Sequence, residues 1–267
     1  MIIIFKIRIH RRALKYSKWL QTNIHLSEDD ARHLVQKMAQ RGRSHVSAAF
    51  PISDLLLPEG HRAAISYGKE VTPGGFTFTI RKFPQKPLTI LDLLRNGTLP
   101  PLIASYLWTV LKAKGFIVII GATASGKTTL LNALAQLIPQ DWKIVTVEDT
   151  PEIRINHRQW DRLVSRKTLT IEGNAPEIDL FELTKFAWRR RPDFLIVGEV
   201  RGREVRALVH AVASGHGGMT TFHASSANSA ILRLMSPPLS VEKAFLMLIS
   251  CFVTMREVKS GVRVVHM

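Results

Sequence analysis

The stretch GATASGKTT, Gly121 to Thr129, places a lysine and a threonine directly after a glycine and within reach of a second glycine. Glycines in such a loop let backbone N–H groups curl around phosphate oxygens. A following lysine can bridge the β- and γ-phosphates, and the next hydroxyl can ligate Mg²⁺. The loop follows the apolar run FIVII and opens the run KTTLLNALAQLI, so a helix starting there adds the positive end of its dipole. On this reading Gly121, Thr123, Ala124, Ser125, Gly126, Lys127, Thr128 and Thr129 bind ATP, with Thr128 as the Mg²⁺ ligand.

Carboxylates recur where apolar runs stop. PDFLIVGEVRGR carries Gly198 where a magnesium-orienting aspartate usually stands in P-loop proteins, and Glu199 one residue later. Glu199 reads as the group that orients or deprotonates the attacking water; an ion pair with Arg201 or Arg203 is the competing reading. KIVTVED ends on Glu148 and Asp149 before Thr150 and Pro151 break the strand. That pair can hold Mg²⁺ through water or place the lytic water, or it can serve the turn. His216 and His223 bracket a short apolar run, and they read as γ-phosphate sensors or water polarisers, with packed or solvated histidines as the alternative.

The elements that must position these groups follow from periodicity. FKIRI alternates like a half-exposed strand. SEDDARHLVQKMAQRG has a capping serine, acids in its first turn and a terminal glycine, so it predicts a helix. PISDLLLPEGHRAAISYG and GGFTFTIRKF predict strands, with Phe76, Phe78 and Ile80 on one face. Residues 1–83 therefore predict a smaller α+β domain, and PQKPLT a linker. Over residues 84–267 short apolar strands alternate with helices, which predicts an α/β domain with a largely parallel sheet covered on both faces. The longest uncharged apolar stretch, Ala244 to Met255, is too short to span a bilayer as a helix and reads as a buried core helix.

Composition narrows the classes. Hydrophobic residues make up 46% and charged residues 22%, which supports a real core and argues against disorder. The net charge of +16 favours anionic partners such as nucleotides, nucleic acid or an acidic membrane face. Cys251 is the one cysteine, so neither an intramolecular disulfide nor a cysteine zinc site can form, and a reducing interior suits the chain. The start has an apolar run followed by Lys6, Arg8, Arg11 and Arg12, the reverse of a signal peptide, and the chain is expected to be soluble.

In one order, GATASGKTT, TVEDTPEI, RRRPDFLIVGEVRG and GHGGMTTFHA resemble the P-loop, aspartate box, atypical Walker B and histidine box of the type II/IV secretion ATPases. LPEGHR, FTFTIRKF and LLNAL look like the archaeal branch, which drives archaellum and pilus assembly. The resemblance implies a RecA-like P-loop domain behind a smaller N-terminal domain, and ATP hydrolysis by a homohexamer. It also implies a place on the cytoplasmic side of a membrane, docked on a polytopic platform protein. It carries Lys127 and Thr128 to nucleotide and metal, and Glu199 to catalysis. Glu148, Asp149, His216 and His223 fall in the acidic and histidine boxes, and Arg62 and Arg81 match N-terminal-domain arginines that approach the γ-phosphate. Arg201 is expected to hold the site's geometry. Archaeal members extend beyond this chain at both ends, so the N-terminal domain is expected to be truncated relative to the family, and the four-cysteine zinc element is absent. Two other functions compete: a RecA-like motor with nucleic acid as its less favoured cargo, and a nucleotide-binding scaffold that does not turn over.

Overall fold

The computed structural model describes residues 5–10, 19–84, 86–166, 177–257 and 263–266. They divide into two compact units, and Pro84 closes the first. Gln85 of the expected linker lies outside the described residues, as do residues 1–4, Arg11 and Arg12 of the chain's start.

In the first unit, β1 (Phe5–His10) and β2 (Trp19–Leu26) form an antiparallel pair. Helix α1 (Glu28–Arg41) starts at Ser27, whose hydroxyl accepts the Asp30 N–H while the Asp30 carboxylate accepts the Ser27 N–H. This reciprocal cap satisfies two otherwise orphaned amides. Strands β3 (Ile52–Leu56), β4 (Arg62–Ser66) and β5 (Thr77–Arg81) make an antiparallel sheet. Ala31, Val35 and Met38 of α1 pack with Leu55, Ala63, Ile65 and Phe76 in one core. The apolar face of β5 fades along the strand: Phe76 is buried, Phe78 half-buried and Ile80 exposed.

The second unit opens with α2 (Ile90–Arg95) and α3 (Pro101–Lys112), and then alternates. The order is β6 (Phe116–Gly121), α4 (Lys127–Ala135), β7 (Ile144–Glu148), β8 (Trp160–Val164), α5 (Leu180–Arg189) and β9 (Phe194–Val197). It continues with α6 (Glu204–Ala213), β10 (Gly217–Phe222), α7 (Ala227–Met235), α8 (Lys243–Leu246), β11 (Ile249–Glu257) and β12 (Arg263–His266). Seven strands form one sheet in the order β12-β11-β6-β10-β9-β7-β8. All neighbours run parallel except β12, which is antiparallel to β11. The central strands are buried along their whole length because both faces are covered. Along β6, Ile117 and Ile119 join Leu107, Leu111, Leu130 and Leu134 of α3 and α4. Phe116, Val118 and Ile120 join the opposite core with Val205, Leu208 and Leu234 of α6 and α7.

The stretch Ala244–Met255 is not the expected core helix. Helix α8 ends at Leu246, and Ile249–Glu257 is a strand parallel to β6. A short apolar run without a clear period does not distinguish a buried strand from a buried helix. Here β6 has a free edge on the side away from β10, and the β-branched Ile249, Val253 and Thr254 fill it. No helix among the described residues is long and apolar enough to cross a membrane.

Strand β10 enters the sheet on Gly217, where an added Cβ would lie 2.3 Å from Cδ2 of the buried Phe194 ring. Gly217→Ala should therefore cost about 1–3 kcal/mol by overpacking, and thermal denaturation should show a lower Tm.

Candidate nucleotide site

Parallel pairing puts the carboxyl ends of β6, β7, β9 and β10 on one edge of the sheet. Phe222 pairs with Ile120, so the residues that follow, His223 and Gly121, stand level at that rim. Gly126 then starts α4 with φ 99°, a left-handed conformation that favours glycine. No side chain caps α4 and no acid occupies its first turn. Its first amides therefore point outward at the positive end of the dipole.

Lys127 is 7% exposed, and its Nζ donates to the carbonyls of Gly121 (3.0 Å) and Ala122 (2.7 Å). The same ammonium lies 3.5 Å from Nδ1 of His223. The other ring nitrogen, Nε2, is 2.8 Å from Oε1 of Glu199, and Oε2 of Glu199 accepts from Nη2 of Arg201 at 2.6 Å. A line of charge and imidazole thus runs Lys127, His223, Glu199, Arg201. Burial, first, and the Lys127 charge, second, hold the His223 imidazole below its usual pKa. It is neutral near pH 7, and the facing ammonium requires Nδ1 to be the acceptor, so Nε2 carries the proton. The N–H direction misses Oε1, which is buried and accepts no aligned hydrogen bond although the ion-pair distance is short. Glu199 pairs with Arg201, while Arg203 pairs with Asp179.

Three polar side chains that sequence reasoning passed over brace this rim. Glu204, 6% exposed at the start of α6, accepts the backbone N–H of Arg201 (2.5 Å) and of Gly202 (2.8 Å) and so fixes the turn after Glu199. Asn132 of α4 accepts the Arg154 N–H at 2.8 Å and donates to the Glu152 carbonyl at 3.3 Å. Arg162 of β8 donates to Oε2 of Glu148 (3.0 Å) and to the Ile153 carbonyl (2.7 Å). The available signals were a lone asparagine inside LLNALA and an acid just behind two arginines.

Glu148 is itself 2% exposed, and its Oε1 accepts the N–H groups of Glu152 (2.8 Å) and Ile153 (2.6 Å). The pair expected from KIVTVED therefore divides. Glu148 is held inside the turn by amides and Arg162, because a buried carboxylate must be fully hydrogen-bonded. Asp149 is exposed at the rim and accepts from Ser165 Oγ at 2.5 Å. Desolvation is the larger influence on Glu148 and raises its pKa against the opposing pull of Arg162.

His216 is not brought to this cluster. It precedes Gly217 at the opposite end of β10, and its Nδ1 lies 2.9 Å from the Ala211 carbonyl. At about 3.3 Å per residue the strand separates it from His223 by roughly 20 Å, so within one chain both histidines cannot serve one phosphate. Arg62 and Arg81 lie in the first unit as directly paired residues across β4 and β5. Arg62 also meets Asp54 at 3.3 Å, and the Arg81 guanidinium sits 5.5 Å from the Phe83 ring centre.

A triphosphate fits what is present. The loop offers α4's uncapped amides, the Lys127 ammonium and the partly exposed Thr128, and the Ser125 hydroxyl is buried without a hydrogen-bond partner. Among the described residues no group of three or more histidine, cysteine or acidic side chains could hold a metal by itself.

A family model for Type II/IV secretion system proteins matches residues 17–264. The chain belongs to this family. The uncharacterized protein MJ0900 of Methanocaldococcus jannaschii is 39% identical over 228 residues, covering 85% of this chain and 41% of that protein. The type IV secretion system protein PtlH of Bordetella pertussis is 34% identical over 205 residues, covering 69% and 60%. The chain thus spans between two fifths and three fifths of the length of these two relatives. The solved structure of the Legionella pneumophila ATPase DotB aligns with a TM-score of 0.64 at 21% identity, over 99% of this chain and 75% of that one. This likeness shows the fold, RecA-like α/β.

Two outcomes follow for this secretion-family site. Arg162→Gln should destabilise the fold by about 1.5–3 kcal/mol, as for a hydrogen bond to a charged group. Its deficit should grow as pH rises above the usual glutamate value, since Glu148 then ionises in the unfolded chain but is held protonated longer in the fold; denaturation at several pH values checks this. In Lys127→Met the His223 imidazole should titrate at higher pH than in the wild type, read by NMR.

Proposed function

We propose that this chain hydrolyses ATP and that hydrolysis powers secretion, or assembly of pilus- or archaellum-type filaments. The acting form is a homohexameric ring on the cytoplasmic side of a membrane machine, docked on a polytopic platform protein. The observation that carries the reading is the Lys127 ammonium, bonded to its own loop carbonyls, with His223 and Glu199 in line beyond it. A nucleoside triphosphate would compete for Lys127 with the carbonyls of Gly121 and Ala122, since a phosphate oxygen carries full charge and a carbonyl only a partial one.

The residues then take distinct roles. Backbone amides of the loop and the start of α4 bind the phosphates. Thr128 would hold Mg²⁺, which when bound neutralises phosphate charge. Glu199 orients the attacking water and accepts its proton, and Arg201 holds the carboxylate in place until then. Neutral His223, with its Nε2 proton on the Glu199 side and Lys127 on the other, relays the state of the γ-phosphate to that carboxylate. Asp149 faces the same rim and helps to place water, whereas Glu148 positions the turn that carries it. Arg62 and Arg81 stand directly opposite across β4 and β5 and so bring two guanidinium groups to one place on the sheet, with Asp54 beside Arg62. We assign them to the γ-phosphate, with the first unit as the family's N-terminal domain and the second as its ATPase domain.

Lys127→Ala should abolish nucleotide binding. Glu199→Gln should keep binding and slow turnover by roughly a hundredfold or more, as for loss of a general base; equal rates in the wild type and Glu199→Gln would remove the glutamate from the mechanism. Light scattering with and without a nonhydrolysable ATP analogue should show hexamer, and a monomer under both conditions would overturn the ring.

A further inference from the structure

Beyond the hydrolytic groups, one cation lies against the phosphate loop from the other side. We infer that Arg263 binds the nucleoside-proximal phosphates of the nucleotide, so that it contributes equally to affinity for ATP and ADP and leaves the hydrolytic step unaffected. The inference rests on the reading of the rim as the nucleotide site.

Strand register places Arg263. Met255 of β11 pairs with Gly121 of β6 and with Val265 of β12. Because β12 runs antiparallel, Arg263 stands two residues beyond the level of Gly121, past the carboxyl rim. Side chains two apart on a strand share a face. Val265 is buried in the core formed with α3 and α4, so Arg263 projects on the face where α4 begins. A Cβ added to Gly126 would lie 3.0 Å from Cδ of Arg263 and 3.8 Å from its Nε. The arginine stem therefore lies against the loop's last glycine.

The charge at this point is not bonded to a counter-ion. Nε of Arg263 is buried and has no hydrogen-bond partner, and no ion pair of Arg263 occurs among the described residues. α4 has no acid in its first turn. Glu257 of β11 stands directly opposite Arg263 but forms no ion pair with it, so the guanidinium pressed on an uncapped helix start is open to an anion, and phosphate accepts a guanidinium in a fixed planar geometry.

The order of strands sets which phosphate. Glu199 and His223 lie on the β9 and β10 side of β6, whereas β11 and β12 lie on the other. A phosphate chain across the loop with its γ-end toward Glu199 has its nucleoside end toward Arg263. ATP and ADP share that end.

The test uses the full chain with ATP, a nonhydrolysable ATP analogue and ADP as probes. Arg263→Gln should weaken both the analogue and ADP by roughly 10–100-fold, the range for a hydrogen bond to a charged group. The ratio of the two affinities should stay unchanged, and kcat at saturation should remain within about twofold of wild type as KM rises, the mark of uniform binding. Arg263→Lys, which keeps the stem and the charge, should recover part of the loss and controls for folding. Wild-type affinity in Arg263→Gln overturns the inference, as does a loss confined to the triphosphate or a fall in kcat at unchanged affinity. Lys127→Ala separates the two readings. If that variant still binds both nucleotides, the site itself is misplaced; if it binds neither while Arg263→Gln binds normally, only the Arg263 assignment fails.

Discussion

The parallel hydrogen bonding of β10 to β6 is the constraint on which the rim depends. One register, Phe222 opposite Ile120, brings the imidazole of His223 to the ammonium of Lys127. The pairing of β10 with β9 then brings Glu199 to the same imidazole. A slip of one residue would turn every side chain of β10 to the other face. Both faces of the sheet are closed by helices, so such a slip would bury or expose large apolar groups on both sides. The two cores therefore hold the register, and the register holds the chemistry.

Charge burial then sorts the acids. A carboxylate taken out of water must find donors. Glu148 finds them in two amides and Arg162, and Glu204 in the amides of Arg201 and Gly202. These two are braces: they shape the turns beside the rim. Among the described residues Glu199 accepts no backbone amide; the Arg201 side chain, which can exchange partners, holds its Oε2, and His223 stands 2.8 Å from Oε1 without an aligned hydrogen bond. Glu199 differs from these braces in the kind of donor, since a side-chain partner can rotate away at little cost whereas turn amides cannot.

The rim is also asymmetric across β6. Glu199 and His223 come from the side of β9 and β10, while β11 and β12 supply Met255 and Arg263 against the back of the loop. The loop is thus pinned between two strand pairs before any ligand arrives, which keeps its amides in place and lowers the ordering that binding would otherwise require.

The sequence by itself determined the P-loop, the alternation of buried strands with helices, and the placing of Glu199 and His223 at strand ends, because each depends on local spacing and on where an apolar run stops. The cap of α1 at Ser27 was legible for the same reason. Only the tertiary structure decided that Ala244–Met255 ends in a strand, because that depended on β6 having an open edge. Only it separated Glu148 from Asp149, because the partners of Glu148 arrive through the pairing of β7 with β8 and from the following turn. Strand direction set His216 apart from His223, and the return of β12 beside β11 laid Arg263 on Gly126. These contacts join residues far apart in the chain, and no local period or propensity encodes them.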